Sequence, residues 1–273
     1  MEVVLCCLLL FVIVILFERM APFYERFLIN RKKKEFLEHE SYYRNLISTH
    51  LRFFHCLDAG QQDKLLFRTY LFNRSRKFHY VGVQASPEMP VLISAVAAQL
   101  TLGLETFSMK YFHNIYVLEH DYHYGYYSLP FMGHVDSSGI YLSWDNFLKG
   151  LVNTRDSSNV GLHEMAHALA YVNFITKTDE DKHFIREFRN FSKIARPIFQ
   201  EMQKGKRNFL GDYAASNYHE FWAVSVEMFF ENPLRFRHEL PALYAAMARV
   251  LNQDPIEQIK YKRTLLYKSV VRQ

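Results

Sequence analysis

The hydrophobic and polar positions of the chain begin with an uninterrupted apolar run, Val3 to Phe17, closed by Glu18 and Arg19. At about 1.5 Å per residue the run covers roughly 22 Å, short of the ~30 Å hydrocarbon core of a bilayer. Met1 and the stretch Met20 to Phe23 lengthen it if the helix tilts or its charges snorkel. The pattern therefore predicts an N-terminal transmembrane helix. Glu2 makes the leading segment acidic and no Ala-x-Ala follows, so it lacks the signature of a cleaved signal peptide. The alternative reading is an amphipathic or buried N-terminal helix.

Beyond the run, Glu35 to Phe54 has helical, amphipathic spacing, and "DAGQQDKLLFRTYLF" (58–72) places Leu65, Leu66, Tyr70 and Leu71 on one side of a second helix. "KFHYVGV" (77–83) alternates as a strand does, and Pro90 opens an apolar helix from a first-turn position where proline is tolerated. "YFHNIYVLE" (111–119) and "GIYLSW" (139–144) read as strands rich in Tyr, Ile and Val. Between them, Tyr122 to Ser138 reads as a loop with three glycine or proline breaks. From Asn146 onward the periodicity is helical, most strongly in "DYAASNYHEFWAVSVEMFF" (212–230) and "LPALYAAMARVLNQDP" (240–255). A short strand-rich stretch ahead of a helical one predicts an α+β domain, mostly helical with a small sheet.

Charge changes this picture in one place. Arg19, Arg26, Arg31, Lys32, Lys33 and Lys34 all follow the apolar run and none precedes it. By the positive-inside rule this predicts a single pass through the inner (cytoplasmic) membrane, with the body of the chain facing the cytoplasm. The net charge of +5 over 273 residues is modest, and outside that run the basic positions are scattered, which argues against a nucleic-acid partner. The basic tail carrying Lys260, Lys262, Arg263, Lys268 and Arg272 reads as a solvated face, with contact to anionic lipid as the alternative. Hydrophobic residues at 49% and charged residues at 22% are those of a folded domain with a substantial core. The three cysteines, Cys6, Cys7 and Cys56, offer no disulfide framework.

The chemistry-bearing pattern is His-Glu-x-x-His in "GLHEMAHALAYV" (161–172). Four-residue spacing sets His163 and His167 on one helix face, within reach of a single ion, while Glu164 is turned about 100° away and reaches water without ligating. Random placement at this composition gives about 0.04 such matches, so the alternative, two hydrogen-bonded histidines in a core helix, stands at this point. A catalytic zinc takes three protein ligands and keeps a fourth position open. The extended pattern with a third histidine is excluded, because Ala170 and Asn173 occupy its positions. The third donor comes from another segment, and Glu220 is the leading candidate, with His219 and Glu227 as rivals. Asn217 and Glu220 also have capping-box spacing, so Glu220 is equally readable as a helix cap.

Several ordered segments resemble the Mlc titration factor A family of bacterial glucose-regulated zinc metallopeptidases, distantly similar in catalytic core to anthrax lethal factor. They are "VGVQASPEMPVLISAVAAQLTLGL", "NIYVLE", "GIYLSWDNFLKG", "NVGLHEMAHALA", "DYAASNYHEFWAVSVEMFFENP" and "NQDP". The resemblance implies a zincin-like metallopeptidase domain over residues 46–255, with an anchor at 1–28, a basic linker or helix at 29–45 and a tail at 256–273. It implies one Zn²⁺ held by His163, His167 and Glu220, with Glu164 as general base and Tyr213 assisting. Peptide or protein substrates are expected, hydrolysed by metal-activated water. Capture of a transcriptional repressor is the alternative role that the resemblance brings. Two departures lie beside the site: Ala168-Leu169-Ala170 where relatives carry Lys-Leu-Asp, and Tyr218-His219 where they tend to carry Pro-Ala. His120, His123 and His134 are read as part of an aromatic loop near the cleft rather than as a second metal site. Glu227, two turns beyond Glu220, is a candidate partner for a ligand's second ring nitrogen.

Overall fold

A computed structural model of the chain describes residues 2–125, 130–152, 158–206 and 209–262, with side chains given from residue 19 except at 21–23, 25 and 26. The chain forms two compact units, Met1–Tyr42 and Tyr43–Gln273. The backbone of the first is helical and belongs to α1 (Glu2–His50). The side chains of the apolar run lie outside the described residues, and so does the anchor expectation. Among the described residues no helix is long and apolar enough to cross a membrane.

The second unit is mostly helical with a small mixed sheet, as α+β predicts. A 3-10 turn (Arg52–Cys56) leads to α2 (Ala59–Arg74), which Asp58 and Gln61 cap reciprocally. Then come β1 (Lys77–Val81), α3 (Glu88–Leu100) and β2 (Asn114–Leu118). β3 (Gly133–Asp136), β4 (Gly139–Ser143) and α4 (Trp144–Val152) follow. The strand order is β1-β2-β4-β3, parallel except for the antiparallel edge pair β3–β4, which aligns His134 with Tyr141.

Helix α3 is buried on nearly every side, as its composition requires. It begins at Glu88, ahead of the expected Pro90. Its last carbonyls, Gln99 O and Leu100 O, accept from Gln253 Nε2 at 3.1 and 3.0 Å, and the buried Arg68 donates to the turn that follows, to Thr101 O at 2.5 Å and Leu104 O at 2.7 Å.

The segment expected to be a loop contains β3. That strand has four half-buried residues and no apolar alternation, so nothing in its own sequence distinguishes it from loop. Pairing with β4 makes it a strand. It is also the edge that faces the chemistry: a Cβ on Gly133 would stand 2.7 Å from Cγ of Glu164, so only glycine lets this backbone approach so closely.

The remaining helices are α5 (Val160–Phe174), α6 (Lys182–Gln203), α7 (Tyr218–Glu231), α8 (Pro233–Glu239) and α9 (Pro241–Leu251), with a 3-10 turn (Tyr213–Ala215) ahead of α7. α5 sits centrally, against β3, β4, α3, α4 and α7. Gly161 permits part of this packing, since a Cβ there would come within 2.6 Å of the Phe147 ring on α4.

Candidate metal centre

Helix α5 starts because Asn159 caps it, accepting from Leu162 N at 3.0 Å. One turn on, His163 and His167 share a face, their rings 4.7 Å apart and edge to face. Helix α7 supplies the facing wall. Its N-cap is Asn217, which accepts from His219 N and Glu220 N at 2.9 and 3.0 Å. The side chain of Glu220 is turned toward α5 instead: its Oε2 lies 2.9 Å from His163 Nε2 and 3.4 Å from His167 Nε2. The two imidazole Nε2 atoms are 3.1 Å apart. Geometry thus separates two roles that spacing alone left level, with Asn217 at the cap and Glu220 among the converging donors. Of the rivals, His219 is exposed at the cleft wall and Glu227 faces the other nitrogen of His163.

That second contact fixes the protonation pattern. Glu227 is buried, and its Oε1 lies 2.7 Å from His163 Nδ1 while its Oε2 accepts from Asn159 N at 2.6 Å. A carboxylate there requires Nδ1 to carry hydrogen, so Nε2 of the neutral ring presents a lone pair to Glu220 and to His167. With His167 in the same tautomer, three lone pairs converge on one point, a place for a cation; without a metal, a ring N–H donated to Glu220 bridges them instead. Burial opposes charging His163, but its bonds to Glu220 and Glu227 outweigh it and raise its pKa to about 10. Burial likewise opposes ionising Glu220, yet the two histidines hold its carboxyl far below the usual range.

The donor set fits zinc. Two imidazole nitrogens and one carboxylate oxygen are a ligand set of catalytic zinc sites, and ligand atoms of a tetrahedral ion with bonds of about 2.0–2.1 Å stand roughly 3.3 Å apart. The observed separations of 2.9, 3.1 and 3.4 Å bracket that value. Among the described residues no second such group of three donors occurs.

Glu164 is 4% exposed, and its Oε2 has no hydrogen-bond partner although the carboxyl lines the cleft. Burial is the main reason its pKa rises to about 8; Glu220 and Glu227 add to this and His163 opposes it. Tyr213, in the turn before α7, is 61% exposed, with its ring centroid 5.9 Å from that of His163. Partial burial at the cleft wall, then the Glu220 carboxylate, raise its phenol well above the ordinary range, so the hydroxyl stays a donor.

Of the other histidines, His134 lines the cleft, stacked 4.2 Å from Tyr141 and bonded through Nδ1 to the Tyr122 hydroxyl at 2.7 Å. His120 pairs with Asp145 at 2.7 Å, and His123 is exposed. Residues 126–129 of this segment lie outside the described residues.

Residues 28–251 match the profile of the glucose-regulated metallo-peptidase M90 family. The chain belongs to that family. The M90 match begins ahead of Leu46, where the sequence resemblance was placed, and so takes in the basic segment of α1. An uncharacterized protein of Synechocystis sp., slr2042, is 23% identical, over 77% of this chain and 83% of the relative. M90 membership implies a metallopeptidase and a divalent metal, for which His163, His167 and Glu220 form the candidate site.

Sequence reasoning offered Glu227 as the partner for a ligand's second ring nitrogen, and the fold sets it 2.7 Å from His163 Nδ1. It missed Asn159, legible only as a polar residue four before His163, whose backbone N–H is donated to the same Glu227 carboxylate.

Proposed function

We propose that this M90 chain is a zinc-dependent peptidase of zincin-like fold, in which His163, His167 and Glu220 hold the ion. The observation that carries the proposal is the meeting of three lone-pair donors beside a buried carboxyl, Glu164, that has an unpartnered oxygen. When bound, zinc supplies Lewis acidity, polarising a carbonyl and bringing the pKa of water down toward neutrality. Glu164 takes the proton from the attacking water and passes it to the departing amine, so that the elements of water are divided between the two products. The Tyr213 hydroxyl donates to the oxygen that gains charge as the carbonyl is attacked. Glu227 keeps His163 in the tautomer that offers Nε2.

Purified full-length chain is expected to carry about one zinc and to hydrolyse unstructured peptides, losing activity to a chelator and regaining it with added zinc. Hydrolysis that survives complete removal of metal would overturn the reading.

The apolar run and the basic residues after it support a further part of the proposal, a single-pass anchor with the peptidase on the cytoplasmic side. Alkaline carbonate is expected to leave the chain in the membrane pellet, and protease added outside intact cells to spare its body. Release into the supernatant would dismiss the anchor, and digestion from outside would dismiss the orientation.

A further inference from the structure

The cleft that contains the candidate metal centre, about 600 Å³, does not end at the ligands. It continues along α5, where Ala170, Tyr171 and Phe174 extend the face that carries His163 and His167 by one and two turns. Phe188 of α6 packs against Phe174, the ring centroids 4.8 Å apart, and the two form one aromatic wall. Trp222 of α7, only 2% exposed, forms the base; it is fixed by its Nε1–H donated to Ala166 O at 2.9 Å and by contact with Phe188 at 5.0 Å.

This end of the cleft differs from an ordinary core cluster. Tyr171, Phe174 and Phe188 are half-buried, and the adjacent Ile175 is 62% exposed. Apolar surface is therefore left open directly beside the candidate reacting centre. The polar lining at this end, Ser192 and the exposed Arg196, belongs to α6, with the Arg196 guanidinium 5.5 Å from the Tyr218 ring. Ala170 adds neither bulk nor charge to the wall nearest His167. An occupant that covers these aromatic faces removes them from water, whereas a small or charged one leaves them wet or is itself desolvated.

We infer that the aromatic end of the cleft is a specificity subsite for a large apolar side chain, such as Phe, Leu or Met, next to the peptide bond to be cleaved. The inference rests on the peptidase reading and names the substrate class for it.

The test uses zinc-loaded full-length chain and a set of peptides of one parent sequence, varied singly on each side of the cleavage site among Gly, Ala, Asp, Leu and Phe. At one of the two positions, Leu or Phe is expected to raise kcat/KM over Ala by roughly 10- to 100-fold, with Asp poorest. Ala170→Asp is expected to abolish that preference. The Glu164→Gln variant supplies a readout without turnover: it should bind the Phe peptide more tightly than the Ala peptide by a similar factor. Cleavage of all peptides at equal rates, or equal binding of Phe and Ala peptides by Glu164→Gln, overturns the subsite and leaves the peptidase reading intact. Hydrolysis of none of them overturns the peptidase reading, and the binding comparison then decides the subsite by itself.

Discussion

Glu164→Gln is expected to keep its zinc and to lose roughly 10²- to 10⁴-fold in kcat, the range contributed by a positioned general base. The substitution preserves size and removes the proton acceptor. Its effect falls on chemistry rather than on metal, because Glu164 is not one of the three converging donors: those are His163, His167 and Glu220. The site is also suited to the task physically. Without a metal, burial raises the pKa of Glu164 to about 8, which makes its carboxylate a better proton acceptor than an exposed glutamate. Metal content by atomic spectroscopy and single-peptide kinetics on the same preparation separate the two effects. Wild-type turnover by the variant would remove Glu164 from the mechanism.

Glu220→Ala is expected to take zinc from about one per chain to a small fraction of that, since two imidazoles are left without the anionic donor. Glu227→Gln should act less severely. It keeps a side chain of the same length beside His163 and Asn159 but loses the carboxylate that orients the ring, and metal affinity should fall by about 10- to 100-fold. Competition with a chromophoric chelator measures both variants on one scale. Full zinc occupancy in Glu220→Ala would exclude that carboxylate as a ligand. An unchanged affinity in Glu227→Gln would reduce the 2.7 Å contact with His163 to packing.

The structural elements were legible in proportion to how much their own residues dictated them. Helix α2 was, because Asp58 and Gln61 cap it and Leu65, Leu66 and Tyr70 recur at helical spacing into the core. Strands β2 and β4 were, because Ile115, Val117, Ile140 and Leu142 are apolar and wholly buried, and β1 was through its alternation alone, none of its residues being buried. β3 was not. Gly133-His-Val-Asp136 becomes a strand through its partner β4, and pairing energy leaves no mark in the strand's own sequence. The expected end of the third strand at Trp144 was one residue long, because α4 begins there without a linker.

For the site, the four-residue interval between His163 and His167 and the offset of Glu164 follow from helix geometry, so the sequence by itself determined their shared face. It also determined an apolar N-terminal run with basic residues on one side only. The orientation of Glu220 was decided by tertiary structure. Cap and ligand need the same residue type at the same spacing, and only the approach of α7 to α5 turns its carboxylate away from Asn217 and toward two imidazoles. The same approach brings Glu227 to His163 Nδ1, and the pairing of β3 with β4 lays Gly133 against Glu164. The side-chain contacts among these join residues 31 to 64 positions apart. Local periodicity carries no information about them, and packing does.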